Sequence, residues 1–334
     1  MPLTTLAGLL FINIVWSAHP IIGKLLLLEM TPLEAAWVRY FSAFCAYLAI
    51  VLTSSFVAKF EAKRSFSNWS QFFIVPDKAS DKVLIVALGI MTFCLSPFLQ
   101  MRGLTTSLAT ENAIIVALEP LMTVFLAWLI LKESVTRFDL LGFCLACVGF
   151  GILAELDPIG IWRSAVSGGR LDSHLSGNLL LALSLVGEAS FAIIGKKLIR
   201  NYSPLQIFGS ALAVGVLCLT AAVAGMFLTN ELSINGPSIS LFHVDRWEWK
   251  TFLAAFWIGP LGTTAGYLIY ITALVDVSVV AVTLFLFLQP LAGALLGYFF
   301  LAERLNGLQC FGSTLILLAV LLPSALRLRN RTTH

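Results

Sequence analysis

The stretch Leu118-Glu119-Pro120 recurs 170 residues later as Leu288-Gln289-Pro290. Thirteen residues after each proline the chain carries a glutamate, Glu133 in the first half and Glu303 in the second. A tripeptide that returns with the same downstream residue at the same spacing indicates an internal duplication. The two halves of the chain are therefore diverged copies of one segment.

Further matches between the halves are separated by 170 or 172 residues. They pair Gly89 with Gly259, Gly142 with Gly312, and Thr31-Pro32-Leu33 with Ser203-Pro204-Leu205. We call two residues related in this way repeat-mates. The pattern predicts two repeats, residues 1–156 and 177–325.

The composition predicts a membrane protein. Hydrophobic residues make up 59% of the chain and charged residues 12%, whereas a soluble domain has roughly 45–50% apolar and about 25% charged residues. The mean hydropathy of +0.93 agrees with residence in a lipid bilayer. The net charge of +3 is small and dispersed, so we expect no nucleic-acid partner.

An α-helix needs about 20 mostly apolar residues to cross the hydrocarbon core. Ten stretches qualify, five in each half: 3–24, 33–54, 82–101, 107–131, 138–155, 177–197, 205–228, 251–272, 277–301 and 306–325. An odd number of spans in each copy makes the second copy enter the membrane from the opposite side. The sequence thus predicts an all-α integral membrane protein with ten transmembrane helices in two inverted five-helix repeats.

The distribution of basic residues predicts the orientation. Under the ten-span assignment, 13 Lys and Arg residues fall on the side of both termini and 6 on the opposite side, while Lys24 and Arg39 lie within spans. Basic residues accumulate on the cytoplasmic side, so both termini are expected there. The first apolar run lacks a basic start and an A-x-A site, which favours a first span over a signal peptide.

All six cysteines lie inside apolar spans. Cysteines in such positions pack as small hydrophobic side chains. Cys144-x-x-Cys147 has no second Cys or His pair to complete a zinc site. We therefore expect neither disulfides nor a metal.

Several short motifs lie in or next to the first, second, fourth and ninth spans. They are Trp16-Ser17 with Lys24, Pro32 with Arg39-Tyr40, Glu119-Pro120 with Lys132-Glu133, and Gln289-Pro290 with Glu303-Arg304. With them the chain resembles the drug/metabolite transporter superfamily, specifically its EamA-type members, over nearly its whole length. The resemblance implies two inverted five-helix repeats, no cofactor, and export or exchange of small organic metabolites such as amino acids, in the cytoplasmic (inner) membrane of a bacterium. The chain departs from the usual pattern in its long outside loops and in Glu188, whose repeat-mate is Trp16.

Ionisable residues within spans indicate a structural or functional role, because a charge at the bilayer centre costs about 2.5–3.5 kcal/mol even on insertion scales. Glu111 and Glu119 are eight residues apart on the fourth span, which places them on one side of a continuous helix. Gln289 lies at the depth of Glu119 on the ninth span, so both should face the axis between the repeats. Alternatively, the two side chains satisfy backbone groups freed by Pro120 and Pro290.

Glu188 lies halfway along the sixth span and has no neighbouring proline. A binding or proton-carrying role and a buried structural pair with a Lys or Arg are both compatible with that position. For Lys24 the sequence favours a side chain that extends to the membrane surface, and for Arg39 a structural pair with Glu34 or another carboxylate. Glu303 is expected to form an ion pair or a gate latch at its helix end, beside Arg304.

Proline and glycine weaken two spans, the third at Pro97 and the eighth at Gly259-Pro260, which predicts hinges there. Gly293-x-x-x-Gly297 predicts a close-packing face for a neighbouring helix. Aromatic and polar side chains near the hinges could shape a cavity, although a lipid-facing or core position is the alternative for each aromatic ring. The predicted substrate-binding set is Trp16, Phe93, Gln100, Glu111, Glu119, Glu188, Tyr267 and Gln289.

These features together predict a secondary active transporter, in which protons could act as the coupling ion. The chain has no G-x-x-x-x-G-K-[ST] motif for ATP. Excess carboxylate in the cavity favours a zwitterionic or cationic substrate, with amino acids first and a nucleoside-type metabolite such as S-adenosylmethionine as the alternative. An intramembrane enzyme is disfavoured because the four histidines are scattered, and a passive channel stays open. The protein is expected to be a monomer or a homodimer.

Overall fold

The computed structural model describes residues 3–60, 72–74, 78–131, 137–154, 173–231, 247–276, 285–286 and 288–331. Within these ranges all regular secondary structure is helical. Glu133 and Lys132 of the sequence motifs lie outside the described residues.

The first half contributes eight helices, two of them joined by a π-helical segment. They are α1 (Leu3–Ser17), α2 (His19–Leu26), α3 (Pro32–Phe60), α4 (Ala79–Ile90), the π segment Met91–Leu95, α5 (Ser96–Leu104), α6 (Ala109–Val116), α7 (Glu119–Leu131) and α8 (Arg137–Leu153). The second half contributes α9 (Ser173–Leu198), α10 (Pro204–Glu231), α11 (Trp249–Phe256), the π segment Trp257–Ala265, α12 (Gly266–Asp276), α13 (Leu288–Leu301) and α14 (Gly307–Arg331).

Six helical runs in the described part of the chain are long and apolar enough to cross a membrane. They are Leu3–Leu26, Pro32–Thr53, Ala79–Leu104, Ser173–Leu198, Pro204–Leu228 and Trp249–Val275. Three shorter apolar helices are Leu140–Leu153, Leu288–Leu301 and Gly307–Ala319. The protein is therefore an integral, multi-pass membrane protein, and the count of ten spans stays a prediction.

The span predicted over residues 107–131 is not one continuous helix. A turn at Ala117 and Leu118 separates α6 from α7. Pro120 follows that turn, and its nitrogen cannot donate the helical hydrogen bond to the carbonyl of Val116. The side chains before and after the turn consequently do not share one helical face.

The predicted weak point at Gly259-Pro260 lies inside the second π-helical segment, and the one at Pro97 lies two residues after the first. The two segments lie at equivalent places in the two repeats. A π segment widens the helix by one residue per turn and redirects the side chains it carries. Phe93 in the first segment and its repeat-mate Thr263 in the second are both fully buried. The two π segments thus contribute buried side chains at equivalent positions of the two repeats.

Glycines bring helices into close contact at repeat-mate positions. A Cβ on Gly89 would lie 2.6 Å from the carbonyl oxygen of Ala211 on α10, and one on Gly259 would lie 2.7 Å from that of Arg39 on α3. Arg39 and Ala211 are themselves 172 residues apart. The same close contact between the two halves therefore occurs twice, at positions related by the repeat.

The predicted packing face on the ninth span is confirmed. A Cβ on Gly293 would lie 2.6 Å from the Cβ of Ala113, and one on Gly297 would overlap the hydroxyl of Thr110. Small residues at this spacing let α13 approach α6 closely. This contact joins the second repeat to the first beside the central cavity.

Candidate functional site

A central cavity of about 70 Å³ lies between the two halves. The first half lines it with Trp16, Ser17, His19, Pro20, Arg39, Gln100, Ala113, Val116 and Glu119. The second half lines it with Leu185, Glu188, Phe191, Tyr267, Tyr270 and Gln289. Both repeats thus contribute polar and aromatic side chains to the same cavity.

Most of the residues that the sequence singled out come together in this cavity. Those that line it are Trp16, Gln100, Glu119, Glu188, Tyr267 and Gln289. Phe93 and Glu111 do not line it. Arg39, His19 and Tyr270 do line it, although they are not in the predicted set.

Glu111 lies in a separate buried cluster. Its carboxylate accepts hydrogen bonds from the Leu108 backbone (3.0 Å) and the Gln309 amide (2.9 Å), and it pairs with His174 Nε2 (2.9 Å). The expectation that Glu111 shares a helix face with Glu119 is wrong, because the turn before Pro120 breaks the helix between them. Glu111 instead caps the first turn of α6.

Phe93 belongs to the aromatic core behind the cavity wall. Its ring contacts Tyr40, Phe191, Phe208 and Tyr267 at centroid distances of 5.3 to 5.7 Å. Phe93 lies in the π segment Met91–Leu95 and is fully buried. Its contact with Phe191 and Tyr267 supports two rings that do line the cavity.

Arg39 is 3% exposed and lines the cavity. Its guanidinium donates to Thr263 Oγ1 (3.1 Å) and Gln100 Oε1 (3.1 Å), and its third contact is His19 Nδ1 (3.4 Å). All three partners are side chains without a negative charge. No carboxylate of the described residues lies within 4 Å of it.

The expected pairing of Arg39 with Glu34 is wrong. The Glu34 carboxylate accepts a hydrogen bond from the Thr31 backbone (2.7 Å), and the Glu34 backbone donates to the Thr31 hydroxyl (3.3 Å). This reciprocal arrangement is a capping box that closes the start of α3. The capping motif was readable in the sequence as Thr31-x-x-Glu34, and it removes Glu34 as a partner for the guanidinium.

The tautomer of His19 follows from its contact with Arg39. A guanidinium can only donate, so Nδ1 of His19 is the acceptor and the ring proton resides on Nε2. That Nε2 is buried and has no hydrogen-bond partner in the described part of the chain. His19 therefore presents an unused donor beside the Arg39 cluster.

Glu188 is held by two hydroxyl groups. One carboxylate oxygen accepts from Ser96 Oγ (3.1 Å) and the other accepts from Tyr267 OH. Within the described ranges no Lys or Arg forms an ion pair with it at 4 Å or less. The structural pair considered as an alternative for Glu188 is therefore absent from these residues.

The side chains of Glu119 and Gln289 differ in their hydrogen bonds. The Gln289 amide donates to Asn13 Oδ1 (2.9 Å), and Asn13 in turn donates to the Leu9 carbonyl (2.7 Å). No hydrogen bond reaches the Glu119 carboxylate from the residues that the structure describes. Neither side chain bonds a described backbone group freed by its proline, so that alternative finds no support.

Aromatic rings form one wall of the cavity. Trp16 Nε1 donates to the Gly262 carbonyl (2.7 Å), which anchors the indole to the second π segment. The Trp16 ring lies 5.7 Å from Tyr267 and 5.9 Å from Tyr270 between centroids. These contacts cross from the first repeat to the second, and all three rings line the cavity.

The comparison with known families gives two matches in one chain. The EamA-like transporter family matches residues 3–154 and again residues 175–325. This chain belongs to that family. The family is one of transporters, and the relatives that match this chain are named as transporters.

Individual relatives of this EamA-family chain are distant. The uncharacterized transporter YyaM of Bacillus subtilis (strain 168) is 25% identical over 223 residues, which span 66% of each chain. The uncharacterized transporter YwfM of the same organism is 22% identical and spans 75% of this chain and 76% of its own. An uncharacterized transporter of Archaeoglobus fulgidus is 23% identical over 62% of this chain and 65% of its own.

A solved structure, named only "Crystal structure of protein", shares the fold. It superposes with a TM-score of 0.58 over 97% of this chain and 98% of its own, at 15% sequence identity. At that identity the likeness concerns the fold alone.

Proposed function

We propose that this EamA-family protein is a secondary active transporter that moves small organic metabolites by alternating access. The observation that carries the proposal is a cavity lined by both halves, with Glu119 from one repeat and its repeat-mate Gln289 from the other. In inverted-repeat carriers the substrate site lies between the repeats near the bilayer midplane. Rocking of one repeat against the other would expose this cavity to each side in turn.

The proposed topology has ten spans in two inverted five-helix repeats. Six long apolar runs and three shorter apolar helices support it, as does the excess of Lys and Arg on the side assigned to both termini. We propose that this side is the cytoplasm and that the membrane is the inner membrane of a bacterium. Under this assignment α1 runs outward, and His19 and Lys24 lie in the outer half of the first span.

The proposed substrates are zwitterionic or cationic metabolites. Two carboxylates, Glu119 and Glu188, and one guanidinium, Arg39, line the cavity. Charges removed from water need compensating charges or hydrogen bonds, and a substrate with both signs supplies them. Amino acids and related compounds are the leading class, and a nucleoside-type metabolite such as S-adenosylmethionine has the same kinds of charge.

A proton gradient is the proposed energy source. A carboxylate can hold either a proton or a substrate cation, and competition between the two would couple their movements. Glu188 is the proposed carrier of that proton, because its carboxylate lines the cavity and only neutral hydroxyl groups hold it. Movement of one charge through 100 mV supplies about 2.3 kcal/mol, enough to bias the cycle without ATP.

Uptake into proteoliposomes tests the proposal. Labelled amino acids and nucleoside metabolites are offered with and without an imposed pH gradient, to wild type, Glu188→Gln and the control Glu248→Gln, whose side chain is 65% exposed. We expect saturable, gradient-dependent uptake in wild type and the control, and loss of the gradient dependence in Glu188→Gln. Linear flux without saturation would indicate a channel, and absence of uptake across the panel would refute a transporter of these compounds.

A further inference from the structure

A second buried polar cluster joins the two repeats beside the cavity. Both oxygens of the Glu111 carboxylate contact His174 Nε2, at 3.0 and 2.9 Å, and the Gln309 amide donates to it at 2.9 Å. Glu111 lies on α6 of the first repeat, whereas His174 lies on α9 and Gln309 on α14 of the second. Ala113, two residues after Glu111, lines the cavity. The cluster therefore holds the two repeats together close to the cavity.

The two members of this ion pair differ in their access to water. The Glu111 side chain is fully buried, while the His174 side chain is 27% exposed. Histidine side chains change charge between about pH 5 and 8, and a partly exposed ring exchanges its proton with the solvent. His174 can thus gain and lose a positive charge while Glu111 stays out of water.

Protonated His174 is the cation that compensates the charge of Glu111. The N–H groups of Leu108, Gln309 and His174 all meet this carboxylate, an arrangement that stabilises its ionised form. Within the described residues no Lys or Arg forms an ion pair with it at 4 Å or less. A buried charge that loses its partner is strongly unfavourable. Loss of the charge on His174 should therefore weaken the contact, although a neutral ring still donates one hydrogen bond through Nε2.

The other charged side chains at this end of α6 do not replace His174. On the described elements that pack around Glu111 and the start of α9, they are Lys24 on α2, Arg102 on α5, and Glu303 and Arg304 between α13 and α14. Lys24 and Glu303 pair with each other at 3.1 Å. Neither arginine forms an ion pair at 4 Å or less within the described ranges. The charge of the cluster therefore changes with the proton on His174.

We infer that the Glu111–His174 contact is a pH-sensitive lock on this end of the cavity, an interaction that must break before the end opens. When His174 is protonated, the ion pair holds α9 against α6 and the end stays closed. As the pH rises through the histidine range, the ring loses its charge and the repeats separate more easily at this end. The inference rests on the proposed function, because separation of the repeats at one end is a step of alternating access.

The proposed topology determines which compartment the lock responds to. His174 lies in the first turn of α9, and Lys196 and Lys197 lie in its last turn. These lysines belong to the basic excess on the side of the two termini, so His174 lies on the opposite, external side. An acidic exterior would thus hold the external end of the cavity closed.

Two substitutions that fix the charge at position 174 test the inference. His174→Lys carries a positive charge from pH 5.5 to 8.5, whereas His174→Gln carries none. Each is combined with Ser17→Cys, which places a thiol in the cavity wall, and a membrane-impermeant maleimide is applied to vesicles from each side. Labelling of the native cysteines, measured without Ser17→Cys, is subtracted. Because the proteins are compared at the same pH, the pH dependence of the maleimide reaction cancels.

The expected result is a crossover in labelling from the external side. At pH 5.5 the protein with His174 should label at the rate of His174→Lys. At pH 8.5 it should label at the rate of His174→Gln, which should be at least threefold faster than that of His174→Lys at every pH. Glu111→Gln should label as fast as His174→Gln throughout, because the charge on the ring then has no carboxylate to meet. A purely structural contact would not produce the crossover.

Glu29→Gln is the matched control. Glu29 is an exposed carboxylate that accepts a hydrogen bond from Thr251 (2.9 Å), and its substitution should leave the crossover unchanged. The ratio of labelling between Glu111→Gln and the protein with His174 repeats the test without either substitution at position 174. That ratio should fall several-fold between pH 5.5 and 8.5.

A ratio that stays constant over this pH range would overturn the inference, as would equal labelling of His174→Lys and His174→Gln. In that case saturable uptake in the proteoliposome panel would leave the transporter proposal intact. A crossover without uptake of any compound in the panel would support the lock and refute only the transport of those compounds.

Discussion

Lys24 Nζ lies 3.1 Å from Glu303 Oε1, which joins α2 of the first half to the segment between α13 and α14 of the second half. The same carboxylate accepts from the Ala109 backbone (2.9 Å), the Thr110 backbone (2.8 Å) and the Thr110 hydroxyl (2.7 Å). We call these four residues the inter-repeat clamp. The clamp lies one turn along α6 from Ala113, which lines the cavity. It therefore ties the halves together at one end of the cavity.

We predict that Glu303→Gln loosens the inter-repeat clamp. The amide keeps the size of the side chain but removes the charge that the first turn of α6 and Lys24 stabilise. Hydrogen bonds to charged groups contribute about 1.5–3 kcal/mol, and Glu303 is only 7% exposed. We expect a loss of this order in the free energy of unfolding, measured by denaturation in detergent, and no loss in the exposed control Glu248→Gln.

The same variant should open the cavity on the clamp side. Ser17→Cys places a thiol in the cavity wall, and a membrane-impermeant maleimide is applied to vesicles of both orientations. Labelling at position 17 should rise several-fold when Glu303→Gln or Lys24→Gln is added, and only when the maleimide is applied from one side of the membrane. Labelling of the native cysteines, measured in the same proteins without Ser17→Cys, is subtracted. Equal labelling from both sides, or no increase, would show that the clamp does not close the cavity.

The contribution of Glu303 to stability should depend on pH in the acid range only. Burial raises the pKa of this carboxyl, but the hydrogen bonds from Thr110, Ala109 and Lys24 outweigh burial and lower its pKa below the ordinary value. An unfolded glutamate has a pKa of about 4.3. The stabilisation is thus fully present above that pH and is lost as the pH falls through the lower folded-state pKa.

The measurement is the difference in unfolding free energy between wild type and Glu303→Gln from pH 7 to pH 3. It should be constant from pH 7 to about pH 5 and shrink at lower pH, with the steepest change below about pH 4.3. If the difference in unfolding free energy between wild type and Glu303→Gln disappeared near neutral pH, Glu303 would not be ionised in the clamp.

Ala302 is the one residue other than glycine with a positive φ in the described part of the chain, at 53°. It follows α13, where the Glu303 backbone donates to the Gly297 carbonyl (3.3 Å) as in a glycine-capped helix end. This conformation costs an alanine roughly 1–2 kcal/mol. Ala302→Gly should therefore raise the free energy of unfolding by about 1 kcal/mol, and Ala302→Val should lower it. Thermal unfolding of the three purified proteins in the same detergent checks this order.

The repeat pattern allowed much of the architecture to be predicted. Gly259 and Pro260 located the interruption at residues 257–265, and Pro97 pointed to within two residues of the one at 91–95, because proline and glycine weaken helices. The repeat-mates Glu119 and Gln289 pointed to the cavity, because duplication places equivalent residues on both sides of one axis. These inferences needed only local chemistry and the offset between the copies.

The predictions that were wrong concern contacts between distant parts of the chain and the continuity of one helix. Arg39 was expected to pair with a carboxylate, yet Thr263, Gln100 and His19 hold it. All three partners come from other spans, and nothing in one sequence fixes which spans are neighbours. Glu111 was misplaced because a continuous helix was assumed through the turn at residues 117–118.

The repeat-mates Gly89 and Gly259 provide a matched pair of substitutions. A methyl group on Gly259 would lie 2.7 Å from the Arg39 carbonyl on α3, and one on Gly89 would lie 2.6 Å from the Ala211 carbonyl on α10. Overpacking of this kind costs typically about 1–3 kcal/mol, so Gly259→Ala and Gly89→Ala should destabilise the protein similarly. Only Gly259→Ala displaces a residue that lines the cavity.

Gly259→Ala should therefore weaken binding of the metabolite that the uptake panel identifies by about tenfold, equivalent to about 1.4 kcal/mol, whereas Gly89→Ala should leave binding within about twofold of wild type. Binding and thermal unfolding are measured on the same purified samples, so that a loss of folded protein is separated from a loss of affinity. Equal losses of affinity in both variants would mean that the position of Arg39 does not control the site. A loss confined to Gly259→Ala would tie binding to the placement of the guanidinium by α3, because the two substitutions differ chiefly in which helix they displace.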